Sequence, residues 1–312
     1  MEKTIAVIGA GLIGQAWAMV FARAGWRVRL NDRDLAQLRS AQSYIAASLD
    51  EQAEFGLVSD PEEALARVDC VPALEDALAD VNWVQENLPE TLDVKRDVFS
   101  ALDRHAPSDA VLASSTSAIP ASQFTEALPG RARCLVAHPV NPPHLVPIVE
   151  LCGAPWTSPS VIERAKRVYA EVGQVPIVVC REIDGFILNR LQGALLSEAM
   201  RLVGEGYVSP GDLDKTVRDG LGLRWSFMGP LATIELNAPG GVADYCARYG
   251  GFYRRLAEAP PEPAVWDAGN AVRVAAALGT PARAPVLDAR TRWRDRRLMA
   301  LLRHKREQSD FE

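Results

Sequence analysis

Thr4-Ile5-Ala6-Val7-Ile8-Gly9-Ala10-Gly11-Leu12-Ile13-Gly14 opens the first apolar run of the chain and interrupts it with three glycines at fixed spacing. The β-branched run before the glycines suits a buried strand, and Gln15-Ala16-Trp17-Ala18-Met19-Val20-Phe21 behind them suits a helix. In such a strand, turn and helix each glycine has a task. Gly9 permits the tight turn, Gly11 lets backbone amides approach a diphosphate, and Gly14 lets the helix pack against the strand. The diphosphate then rests on the helix N-terminus, so Leu12 and Ile13 join the three glycines as expected contacts.

A second strand-like run, Arg27 to Leu30, delivers Asp32 eighteen residues after Gly14. There a carboxylate accepts bonds from the hydroxyls of an adenosine ribose and repels a 2′-phosphate, which predicts NAD rather than NADP as cofactor. Arg33 is the counterweight, a cation that could hold that phosphate instead. Further on, VDCV, VNWVQ, AVLAS, CLVAH, PIVEL and PIVVC alternate with segments of helical period as far as Cys180. This predicts an α/β protein built on a doubly wound, mostly parallel sheet of Rossmann type. After Ile183 strand-like runs stop, and Gly185 to Val203, Ser209 to Leu221 and Asp288 to Arg306 carry helical periodicity. The expected division is a dinucleotide-binding domain over 1–183 and an all-α domain over 184–312. Pro260, Pro261 and Pro263 mark a loop inside the second.

With 34 basic against 40 acidic residues, the net charge of −6 offers no general attraction to nucleic acid or to an anionic membrane surface. Met1-Glu2-Lys3-Thr4 runs into the first strand with no basic segment and long apolar core of a secretory leader, and no apolar stretch reaches about 18 residues, so a cytoplasmic protein is expected. Five scattered cysteines, none in a CxxC pair, signal neither a disulfide framework nor a metal site and read as buried free thiols. The last helical segment is strongly basic, from Arg290 to Arg306, and reads as a solvated face.

Side chains leaving the C-terminal ends of strands converge on the ligand crevice of an open α/β sheet. Two such segments are rich in reactive groups, Ser114-Ser115-Thr116-Ser117 and His138-Pro139-Val140-Asn141-Pro142-Pro143. Oxidising an alcohol needs a base for the hydroxyl proton, and a neutral imidazole suits that task. Of the four histidines, His105 lies near the end of an exposed helix and His304 in the basic tail, which leaves His138 and His144.

Together with Gln85-Glu86-Asn87-Leu88-Pro89-Glu90 and Lys95, Val149-Glu150-Leu151, and Asp184-Gly185-Phe186-Ile187-Leu188-Asn189-Arg190, these segments resemble the 3-hydroxyacyl-CoA dehydrogenases over nearly the whole chain. Within that family the likeness is to the lambda-crystallin or L-gulonate 3-dehydrogenase branch. It implies that His138 is the base and Glu150, twelve residues on, its partner. It further implies that Ser117 and Asn189 bind the reacting oxygen and that Glu90, Lys95, Ser117 and Asn141 contact NAD. It also implies a homodimer paired through the helical domain.

Gly220 to Leu231 and Leu236-Asn237-Ala238 resemble the same branch rather than the acyl-CoA enzymes. From Arg33 to Cys70 there are three basic residues against eight acidic ones, a net of −5 that disfavours CoA phosphates. Arg224 offers a planar clamp for a small substrate's carboxylate. The expected substrate is therefore a small 3-hydroxy acid, L-gulonate before an acyl-CoA. Trp225 keeps a carnitine-type substrate open, since an indole face attracts a quaternary ammonium. A purely structural, crystallin-like role is the alternative of another class, and the joint presence of Ser117, His138, Glu150 and Asn189 speaks against it.

Overall fold

A computed structural model describes residues 3–279 and 284–308. Met1 and Glu2, part of the start read above, lie outside the described residues. Eight strands form one sheet: β1 (Thr4–Ile8), β2 (Arg27–Asn31), β3 (Val68–Cys70), β4 (Trp83–Glu86), β5 (Val111–Ser114), β6 (Cys134–Pro139), β7 (Ile148–Gly153) and β8 (Val175–Val179). Their spatial order is β3-β2-β1-β4-β5-β6-β7-β8. The first six run parallel in the doubly wound order of a Rossmann sheet. β7 then reverses against β6, and β8 is parallel to β7.

Between the strands lie α1 (Leu12–Arg23), α2 (Leu35–Glu54), α3 (Pro61–Ala66), α4 (Leu74–Leu78), α5 (Leu92–His105), α6 (Ser122–Thr125) and α7 (Pro159–Glu171). The two-residue period of β1 decides which layer each residue joins. Ile5 and Val7 pack into a cluster with Trp17, Phe21 and Tyr169 of α1 and α7, whereas Ala6 and Ile8 pack with Phe99 and Phe124 of α5 and α6. All five residues of β1 are buried, as a sheet covered on both faces requires.

The remaining helices are α8 (Leu188–Gly204), α9 (Pro210–Lys215), α10 (Gly222–Trp225), α11 (Pro230–Leu236), α12 (Gly241–Ala257), α13 (Ala268–Leu278) and α14 (Ala284–Arg306). The chain divides into two compact units, one of residues 1–189 with 288–312 and one of residues 190–287. The basic last helix therefore belongs mostly with the sheet, not with the helical unit where the sequence placed it. Apolar packing explains why: Met299, Leu298 and Leu302 of α14 join Leu57, Phe55 and Leu145 in a small cluster.

Charge adds to the docking of α14. Arg296 bonds Glu51 and Glu54 of α2 at 2.9 and 3.1 Å and lies over the ring of Phe55. The acidic stretch from Asp34 to Asp69 is thus partly neutralised by a helix some 240 residues away in sequence, so its negative charge is a weaker bar to CoA than the sequence suggested. Only Cys134 and Cys152 are buried thiols, while Cys180 and Cys246 are exposed. Among the described residues no helix is long and apolar enough to cross a membrane, and no group of three or more His, Cys, Asp or Glu could hold a metal.

Candidate active site

The glycine turn between β1 and α1 is built so that substitution is excluded at two of its three glycines. Gly9 stands at φ +92°, and a Cβ on Gly14 would fall 1.8 Å from the carbonyl oxygen of Gly9. Gly11 differs, because a Cβ there meets nothing within 4 Å. That open space is the room a diphosphate needs. α1 starts without a side-chain cap and with no acid in its first turn, which leaves its positive end for an anion. Leu12 is largely exposed at the mouth of this turn and Ile13 half-buried.

The Ala10 peptide inside the turn is held from both sides. Its amide donates to Asp32 Oδ2 at 3.0 Å, and its carbonyl accepts from Gln15 and Gln37 at 2.8 and 2.7 Å. Asp32 Oδ1 also accepts from the Asp34 amide. The carboxylate is therefore fixed at the end of β2 with acceptor capacity to spare for ribose hydroxyls, while Arg33 is exposed beside it. These residues fit NAD. Gln15 and Gln37 escaped the sequence reading, since nothing in a lone glutamine marks a bond to a carbonyl twenty-seven residues away.

Below the crevice Glu86, at the end of β4, is fully buried with Lys95 of α5. The ammonium bonds both Glu86 oxygens, at 2.9 and 3.0 Å, and the Leu88 carbonyl at 2.9 Å. Ser114 donates to the same carboxylate at 2.6 Å. All three ammonium protons have partners inside the fold, so Lys95, expected to contact the cofactor, fixes the Glu86 to Glu90 turn in this structure. Breaking such a pair by removing one partner leaves a buried charge uncompensated.

Glu90, at the exposed end of that turn, accepts from the Ser117 and Ala118 amides at 3.1 and 3.2 Å and from the Thr116 hydroxyl. Its carboxylate holds the hydroxyl-rich loop after β5 by the backbone and leaves the Ser117 side chain half-exposed. Asn189, at the start of α8, donates from Nδ2 to the Ser117 carbonyl at 2.9 Å. Asn141 is exposed in the loop after β6.

The reversal of β7 produces the central feature. In the antiparallel ladder His138 lies directly opposite Glu150, so residues twelve apart become cross-strand neighbours on one face. His138 Nδ1 and Glu150 Oε2 are 2.8 Å apart, with the histidine 5% exposed and the glutamate not at all. The other oxygen, Oε1, accepts from the Ile187 and Leu188 amides, each at 2.9 Å. Burial pushes the Glu150 carboxyl up, but the His138 bond and these two amides outweigh it and hold the group below the usual range. Glu150 is ionised and fixes Nδ1–H as the donor, which leaves Nε2 as the basic atom.

His144, the other histidine left open, is buried and its Nδ1 finds no partner among the described residues. Burial, with the charges of Arg23 and Arg294, pulls it down to about 3. A ring so reluctant to accept a proton is unsuited to act as a base at neutral pH. Ser117, His138, Glu150 and Asn189 are all in the first unit, as two hydrogen-bonded pairs linked by the backbone from Leu188 to Asn189, whereas Arg224 is in the second, exposed on α10.

A dinucleotide cradle beside a carboxylate-held imidazole defines an NAD-dependent oxidoreductase. Residues 4–183 match the NAD-binding domain of 3-hydroxyacyl-CoA dehydrogenase, and residues 185–276 match its C-terminal domain. The chain belongs to the 3-hydroxyacyl-CoA dehydrogenase family. It is 44% identical to a lambda-crystallin homolog of Bos taurus over 97% of this chain and 96% of that protein. It is 37% identical to an L-carnitine dehydrogenase of Streptomyces griseus over 80% of this chain and 74% of the relative. Among solved structures it is similar to an NAD-dependent dismutase, 5-formyl-3-hydroxy-2-methylpyridine 4-carboxylic acid 5-dehydrogenase. There the TM-score is 0.86 and the identity 26%, over 99% of this chain and 100% of the other.

Proposed function

We propose that this chain oxidises the 3-hydroxyl of a small hydroxy acid, L-gulonate or a close sugar acid, with NAD as acceptor. The observation that carries the chemistry is the buried His138 and Glu150 pair, with Nδ1 engaged and Nε2 left for the substrate. His138 takes the hydroxyl proton at Nε2, and Glu150 stabilises the imidazolium that results. The Ser117 hydroxyl and the second amide proton of Asn189 donate to the substrate oxygen, which must be held in place while its bond order changes. NAD, when bound, accepts the hydride from carbon.

The preference for a small acid rests on Arg224, whose guanidinium is a carboxylate clamp that an acyl thioester cannot use. Two relatives support it, since carnitine and the pyridine carboxylic acid of the dismutase are both small carboxylates. The carnitine dehydrogenase, together with the part-exposed Trp225, favours carnitine as the second reading. A cytoplasmic homodimer completes the proposal. The test is NADH production with L-gulonate, L-carnitine and 3-hydroxybutyryl-CoA, each with wild type and Arg224→Met. The expected result is the highest kcat/KM on L-gulonate and a rise in its KM of roughly ten- to a thousandfold in the variant. Faster turnover of the thioester than of either free acid would overturn the substrate assignment.

A further inference from the structure

Gly185 and Phe186 stand side by side in the left-handed region, at φ 74° and 46°. Glycine adopts that conformation freely; a bulky aromatic residue does so only where its surroundings hold it. Here they do, because Phe186 is fully buried and its ring centroid lies 5.6 Å from that of His138, tilted by 37°. The Phe186 amide also donates to the Ile183 carbonyl at 3.1 Å. Immediately behind this turn come the Ile187 and Leu188 amides that hold Glu150 Oε1. Two amides in succession thus face one oxygen directly after the left-handed pair.

Resting on the role given above to His138, we propose that the turn at Gly185 and Phe186 is a positioning device for the base: its left-handed backbone aims the Ile187 and Leu188 amides at Glu150. Without those amides the ionised form of Glu150 loses two donors and its proton is held to higher pH. Its negative charge also falls more heavily on the imidazole, which keeps the ring protonated to higher pH. Both effects move the acid limb of the pH profile in the same direction, upward.

Few other titratable groups bear on the pair. Cys152, two residues along β7, is pushed up to about 12 by burial and by the charges of Glu182 and Glu150, so it stays a neutral thiol. Glu182 is occupied by the Ser122 amide at 2.8 Å. Asp184 and Arg190 flank the turn in sequence.

The experiment is the pH dependence of kcat/KM at saturating NAD, with NADH affinity measured by fluorescence, for three variants. Phe186→Val keeps an apolar side chain but is β-branched and resists the left-handed backbone, so its acid limb should move up by about one pH unit. Gly185→Ala keeps the ring and strains the same turn, and should shift the limb the same way. Phe186→Gly frees the backbone to stay as it is, and its limb should remain within about 0.3 unit of wild type even if its melting temperature falls. NADH affinity should stay within about twofold throughout.

A wild-type acid limb in Phe186→Val or in Gly185→Ala would overturn the proposal, as would a shift in Phe186→Gly as large as that in Phe186→Val. If Phe186→Gly does not fold, Gly185→Ala against wild type decides alone. Failure of the base assignment has a different signature: His138→Gln would then keep the wild-type profile and rate, whatever the turn variants do.

Discussion

In the first unit nine consecutive residues of α1, Gly14 to Ala22, are buried, whereas in the second unit α12, of 17 residues, contributes no buried residue. The difference is not one of composition. α12 carries Tyr245, Tyr249, Phe252 and Tyr253; Tyr245 is half-buried against the rings of Tyr249 and Tyr253, and the other three are exposed. Tyr207, Phe227, Leu231, Leu236 and Trp266 of the same unit are exposed as well. One unit closes its own core and can hold reacting groups rigidly. The other leaves aromatic surface of the kind that protein interfaces use.

If chemistry belongs to the first unit alone, His138→Gln should lower kcat by about 10²–10⁴-fold while NAD affinity and quaternary structure stay unchanged. Rate measurements at saturating NAD check this, and activity within about tenfold of wild type would break the comparison at its strongest point.

A smaller effect tests how far the first unit's stability depends on burying what water would prefer to hold. His144 titrates at about 3 when folded against 6.5 when free, so the unfolded chain binds the extra proton between those values. Stability should therefore fall as pH drops from 6.5 toward 3, by up to about 1.4 kcal/mol per pH unit, and be fully present above 6.5. Glu150, held below its ordinary range, adds a loss of the same sign only once pH falls through the carboxylate range. Denaturant unfolding from pH 7 to pH 4 should show a shallower decline in His144→Leu than in wild type, and equal slopes would remove His144 as the cause.

The smallest change in a measured number is a factor of two. If the aromatic surface of the second unit is covered by a second copy, sedimentation at micromolar concentration should give twice the 33.9 kDa of the chain. A species of 33.9 kDa alone would mean that the exposed residues serve another purpose.

What could be read from sequence follows the same division. The turn from Gly9 to Gly14 was legible because steric demands there leave so few choices. All eight strand-like runs were visible because a covered sheet needs apolar stretches wherever it runs. The reversal of β7 was not, since PIVEL looks the same in either direction, and with it went the reason why His138 and Glu150 are twelve residues apart. The burial of Lys95 was not legible because a lysine ordinarily points to water, and only the position of Glu86 shows otherwise. The docking of α14 was invisible because charge complementarity between distant segments leaves no local pattern. Arg224 stays a proposal for the opposite reason: an exposed guanidinium on α10 is equally at home in water.

The return of α14 to the first unit has a consequence during synthesis. Leu57 and Leu145 are covered by Met299, which the ribosome adds only after the entire second unit, residues 190–287, has been made. At ordinary elongation rates that interval is roughly 5–20 s. Throughout it the nascent sheet carries an uncovered apolar patch beside the unpaired Glu51 and Glu54, waiting for Arg296. Until the last helix arrives to replace the water, those two carboxylates are the charged neighbours of the patch.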